Sequence, residues 1–122
     1  MAGITGIGGV FFKAKDPDAL GKWYQEHLGL PLNPQFGCAI LPWQKDAQAD
    51  AAWTLAKQDS DWFPGPFMIN YRVADLTTLV QQLTAAGIAI QQGPEEHPQG
   101  LFAWVIDPEG NKVELWEPKA EA

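Results

Sequence analysis

The sequence has a single cysteine, Cys38, so no disulfide can form within the chain and nothing in it calls for an oxidising compartment. Its flanks, Phe36-Gly-Cys-Ala-Ile-Leu41, contain no cation or helix start to activate a thiol, so Cys38 reads as a small buried hydrophobe and not as a nucleophile. There is no run of about 18 apolar residues to span a bilayer. Met1-Ala-Gly-Ile-Thr-Gly6 also lacks the basic start and apolar stretch of a secretory leader, so a cytoplasmic location with no membrane partner is the expectation. Basic residues are scarce: 8 Lys and Arg stand against 15 Asp and Glu, a formal charge of −7 that repels a phosphate backbone and argues against nucleic acid as a partner. No Gly-x-x-x-x-Gly-Lys-[Ser/Thr] loop occurs, and Gly6-Ile-Gly8-Gly9 leads into a strand instead of out of one, so phosphate cradling is unsupported.

What remains is 122 residues with 46% hydrophobic and 19% charged side chains, enough for one globular domain, residues 1–122, around a single core. Within it the pattern occurs twice. Ile7–Lys15 has strand character, Asp16-Pro17 supplies an N-cap and a proline at the first helical position, and Leu20, Trp23, Tyr24 and Leu28 recur on one helical face before Gly29. Leu30-Pro-Leu32 follows. Farther on, Phe67–Val73 is a strand, Asp75 an N-cap, and Leu76, Leu79, Val80 and Leu83 an apolar stripe ending at Gly87, with Ile88-Ala-Ile90 next. The aspartates are 59 positions apart and the glycines 58, an internal repeat of about half the chain.

Further strands are expected at Gly37–Leu41 and Ala51–Ala56 in the first half, and at Leu101–Ile106 and Lys112–Trp116 in the second. The last two are joined by Asp107-Pro-Glu-Gly110, which has the composition of a type I turn. Each half then reads βαβββ, with module one at about 5–60, a Pro- and Gly-rich linker at about 60–66 and module two at about 67–118.

Strand alternation sorts the faces. Val10 with Phe12, and Ile69 with Tyr71, are expected beneath the helices, and Trp23 and Trp53 in the core. The opposite faces carry Phe11, Lys13, Asn70 and Arg72. In the last strand Lys112, Glu114 and Trp116 share a side, and Trp104 joins them if the hairpin register sets it opposite Glu114. Rings flanked by a few polar groups are the usual composition of a small-molecule site. Glu114 has three readings: a carboxylate paired with Arg72 or Lys13, a binding group or general base for a small molecule, or a metal ligand.

In these stretches the chain resembles the vicinal oxygen chelate superfamily of glyoxalase I, bleomycin-resistance proteins and extradiol dioxygenases. The resemblance is carried by Val10-Phe-Phe-Lys-Ala-Lys-Asp-Pro17 with Trp23-Tyr-Gln-Glu-His-Leu-Gly-Leu30, by Asn70-Tyr-Arg-Val-Ala-Asp-Leu76 through Ala85-Ala-Gly87, and by Asp107-Pro-Glu-Gly-Asn-Lys-Val-Glu-Leu115. It implies an α+β fold of two βαβββ modules, each a half-barrel around a concave site often completed across a homodimer. Metal-dependent members place four ligands at positions that map here onto Gly9, Thr54, Met68 (with Asn70 a register slip away) and Glu114. Only Glu114 is a usual ligand for such an ion, and His27 and His97 are expected at a helix end and in the Pro94–Pro98 loop, off the strand faces. The expectation is therefore a metal-free homodimer with no cofactor. It would bind a small aromatic or cationic molecule through Phe11, Lys13, Asn70, Arg72, Trp104 and Trp116. The alternative is a glyoxalase I-like lyase or isomerase using Glu114 as metal ligand or general base.

Overall fold

A computed structural model describes residues 9–33, 35, 37–41 and 51–119. The first two positions of the strand expected from Ile7 lie outside the described residues.

Helix α1, Pro17–Leu28, starts where the sequence places it. The Asp16 carboxylate accepts the Ala19 amide at 3.1 Å, Pro17 occupies the first turn, and Gly29 ends the helix in the left-handed region at φ 70°. A two-stranded ribbon follows, β1 (Leu32–Asn33) antiparallel to β2 (Cys38–Ala39). The second half is a complete βαβββ unit: β3 (Ile69–Arg72), α2 (Leu76–Ala85), β4 (Gln92–His97), β5 (Gly100–Ile106) and β6 (Lys112–Pro118). Its strands lie in the order β3-β6-β5-β4. β3 runs parallel to β6 because α2 carries the chain across, and the remaining neighbours are antiparallel. Asp75 caps α2 through the Thr78 amide and hydroxyl, and the Glu117 carboxylate takes the Leu76 amide at 2.8 Å, so β6 itself holds the start of the helix.

The core lies on one face of this sheet. Leu20 and Tyr24 of α1 and Leu76 and Leu83 of α2 pack on Ala103, Val105, Val113 and Leu115, with Trp23, Leu28, Leu79 and Val80 around them. Both apolar stripes read from the sequence are the buried ones. Leu76, Leu83, Leu115, Val105 and Val113 are fully enclosed, each contributing about 1.5–3 kcal/mol by leaving water.

The β5–β6 turn fastens the first half to the second. Gly110 N–H donates to the Asp107 carbonyl at 3.0 Å, closing the turn. Buried Asp107 accepts the Tyr24 hydroxyl at 2.8 Å, together with the Glu109 and Asn111 amides and the Asn111 side chain. Glu109 in turn takes the Lys15 and Asp16 amides at 2.7 and 2.8 Å, just ahead of α1. The Asp-Pro-Glu-Gly-Asn sequence is thus a structural clasp.

Four expectations change. Residues 9–14 and 51–57 form no strand, and Phe11, Trp53 and Leu55 are 95%, 75% and 78% exposed, so Trp53 is not a core residue and Val10 does not lie beneath a helix. A strand needs a paired neighbour, and among the described residues these segments have none. The strand expected at Gly37–Leu41 shrinks to two residues, leaving Cys38 exposed instead of buried. The strand after α2 is Gln92–His97, not Ile88–Ile90, because Ile88 and Ile90 are spent on the core while the chain is still turning from the helix. His97 therefore lies on a strand, not in a loop.

Candidate functional site

The sheet face opposite the helices is lined by two rows of side chains set by register. Gln92, Trp104, Glu114 and Asn70 face one another across β4, β5, β6 and β3, and the next row is Glu95, Phe102, Trp116 and Arg72. Trp104 is directly opposite Glu114, the condition on which its membership of this face depended. The structure thus brings Asn70, Arg72, Trp104, Glu114 and Trp116 together. Phe11 and Lys13 lie in the irregular segment before α1, both exposed and outside these rows.

Three rings form the floor. Phe102 stacks against Trp104 at a centroid distance of 6.1 Å and 17° between planes, and against Trp116 at 6.1 Å and 12°. The Trp116 indole N–H donates to the Gln99 carbonyl at 2.9 Å, which fixes its plane. Trp104 is only 6% exposed, and its indole N–H is buried without a partner among the described residues. A buried donor left unpaired costs about 1–3 kcal/mol, so its retention on this face needs a reason. Lys112 reaches over the Trp104 ring at 5.7 Å and donates to the Trp62 carbonyl at 2.7 Å, tying the linker to the edge of the floor.

The polar groups sit around these rings. Glu114 accepts the Asn70 side-chain amide at 3.1 Å. On β4, Glu95 accepts Gln92 at 2.8 Å and lies 3.0 Å from the His97 ring nitrogen Nε2. The Gln92 hydrogen bond, then that of His97, holds its carboxyl below the usual carboxylate range. The His97 ring meets Phe102 edge to face at 5.5 Å.

Phe102, Gln92, Glu95 and His97 were missed in the sequence. Phe102 was within reach, since it lies two residues from Trp104 on the same strand. The β4 residues were hidden because Gly93-Pro94 reads as a breaker and the strand is irregular there. The ladder shifts between Gln92 and Glu95, so two residues an odd number apart share a face.

Among the described residues, no three His, Cys, Asp or Glu side chains converge as a metal group. At the four positions where metal-dependent relatives are expected to hold an ion, this chain offers Gly9, Thr54, Met68 and Glu114, and one carboxylate with a glycine, a hydroxyl and a thioether does not fit a catalytic divalent ion. Among the described residues, no helix is long and apolar enough to cross a membrane. A depression lined by Trp23, Ile88, Ala89, Gln91, Ile106 and Pro108 has no charged group in its lining. The ring-lined face, with its carboxylates and unpartnered donor, is chemically the better site.

The family model for the Glyoxalase/Bleomycin resistance protein/Dioxygenase superfamily matches residues 6–115. A search of curated proteins gave no significant match. Among solved structures, the chain is similar to TnmS3, an antibiotic binding protein from Streptomyces sp. CB03234, with a TM-score of 0.62 and 23% identity over 98% of this chain and 99% of that one. It is similar to a glyoxylase/bleomycin resistance protein/dioxygenase domain from Frankia sp. EAN1pec, with a TM-score of 0.63 and 19% identity over 96% and 100%. It is also similar to lactoylglutathione lyase from Agrobacterium tumefaciens, with a TM-score of 0.53 and 20% identity over 85% and 87%. At these identities the likeness shows the fold alone, a mixed α+β one.

Proposed function

Since the chain belongs to the Glyoxalase/Bleomycin resistance protein/Dioxygenase superfamily, we propose that it works as a metal-free binding protein for a small planar aromatic or cationic molecule. The observation that carries this reading is the floor of three near-parallel rings, Trp104, Phe102 and Trp116, with an unpartnered indole N–H at one end. Ring faces attract flat aromatic systems and cations. Glu95 and Glu114 stand on opposite sides of the floor and add negative charge in register with it. The antibiotic-binding description of the Streptomyces neighbour supports a binding role of this kind.

The test is quenching of tryptophan fluorescence by proflavine, a planar cation. Saturable quenching that Trp116→Ala and Glu114→Ala both weaken supports the reading. A folded protein that never responds to proflavine contradicts it.

A second reading is a lyase or isomerase in which Glu114 accepts a proton, favoured by the orientation of its carboxylate through Asn70. Glu114→Gln would abolish such an activity without unfolding the chain.

The assembly we propose is a homodimer. Val10, Phe11, Ile40, Leu41, Trp53 and Leu55 are all exposed, and all lie in first-half segments whose sequence has strand character. A second copy offers the paired edges and apolar surface that these segments lack.

A further inference from the structure

We propose that the Glu95–His97 pair on β4 recognises an aromatic hydroxyl, which makes the ligand class a hydroxylated planar aromatic. The inference rests on the reading of the ring floor as the binding face. The irregularity between Gln92 and Glu95 turns Glu95 onto that face, directly across from Phe102, and His97 follows two residues later on the same side. A carboxylate only accepts hydrogen bonds, so the 3.0 Å contact places a proton on His97 Nε2 and leaves Nδ1 as the acceptor of the neutral imidazole. Gln92 secures the second carboxylate oxygen at 2.8 Å, and the edge-to-face contact with Phe102 sets the plane of the imidazole. The cation acting on Glu95 is Lys112. Carboxylate, imidazole and ring are therefore arranged as an oriented acceptor beside the central ring of the floor. By accepting the Nε2 proton, Glu95 fixes the tautomer in which Nδ1 is the acceptor.

A flat ring seated beside Phe102 puts a peripheral hydroxyl within reach of the His97 ring, whose centroid is 5.5 Å from that of Phe102. An ether at the same position has no hydrogen to donate and leaves the acceptor unmet, which is the kind of mismatch that discriminates well.

The experiment compares 7-hydroxycoumarin with 7-methoxycoumarin by fluorescence titration of the wild-type protein, His97→Phe and Glu95→Gln. His97→Phe keeps a ring against Phe102 and removes the acceptor. Expected is about tenfold tighter binding of the hydroxyl compound to wild type, about 1.4 kcal/mol, collapsing to near equality in His97→Phe and shrinking in Glu95→Gln, with the methoxy compound unaffected. Equal binding of the two compounds to wild type, or a preference that survives His97→Phe, overturns the inference and leaves the ring-floor reading standing. Binding of proflavine but of neither coumarin does the same. If none of the three binds, both readings fall.

Discussion

Trp104 and Glu114 are direct partners across the β5–β6 ladder, so a buried indole whose N–H has no partner among the described residues lies beside a carboxylate held by Asn70. Packing alone would not select this combination on the face turned away from the helices. A ligand that brings positive charge or a donor to the Glu114 carboxylate would complete its hydrogen bonding.

The ring floor should be cooperative in binding. Removing one of two stacked partners costs about 0.5–1.5 kcal/mol beyond lost area, so Phe102→Ala, which takes away both stacking contacts, should weaken proflavine more than Trp116→Ala does. Fluorescence titrations of the two variants, with circular dichroism to confirm folding, check the order.

The clasp between Tyr24 and Asp107 should be a stability element and nothing more. Tyr24→Phe removes a hydrogen bond to a buried carboxylate and is expected to cost about 1.5–3 kcal/mol in urea unfolding, with proflavine affinity unchanged.

The same tyrosine gives an alkaline signature. Burial, then the hydrogen bond to Asp107, pushes the Tyr24 phenol above its ordinary value of 10.0, and burial raises Tyr71 as well, partly offset by its interaction with Tyr24. Above pH 10 the unfolded chain releases these protons and the folded chain does not. The contribution is therefore complete below pH 10 and lost as pH rises, by about 1.4 kcal/mol per unit for each such group. Urea midpoints between pH 9 and 11 should fall, and Tyr24→Phe should flatten the decline.

Gly100 should tolerate no side chain. It turns the chain between β4 and β5 at φ 136°, and a Cβ there would collide with the backbone of Glu117 and Lys119. Gly100→Ala should lose about 1–3 kcal/mol and loosen the His97 end of the face, readable as a drop in thermal midpoint.

Self-association is expected to follow the exposed first-half residues. Sedimentation should give a dimer at micromolar concentration, and Phe11→Glu with Trp53→Glu should shift it toward monomer without altering Tyr24 or the second-half core. A monomeric wild-type chain would contradict the proposed assembly.

Helices and the second half were legible because their signals are local. Asp16, Pro17 and Gly29 mark α1, Asp75 marks α2, and the apolar stripes give the buried sides. The Asp107–Gly110 turn fixed the register that places Trp104 opposite Glu114. The first half was not legible in this way. Val10–Lys13 and Ala51–Ala56 have strand composition, but a strand is a relationship with a neighbour, and sequence pattern cannot say whether the chain provides one. Glu95 and His97 were obscured for a different reason, because a one-residue ladder shift reverses the parity on which face assignment depends.

The most direct measurement is a proton–nitrogen correlation spectrum of the tryptophan indole groups during titration with proflavine. The Trp104 and Trp116 indole signals, assigned by substitution, should move together and saturate at the concentration that quenches fluorescence, while Trp23, packed beside the core, stays in place. Shifts confined to Trp23, or none in the two floor residues while proflavine binds, would show that the ligand goes elsewhere and that the ring floor is not the site.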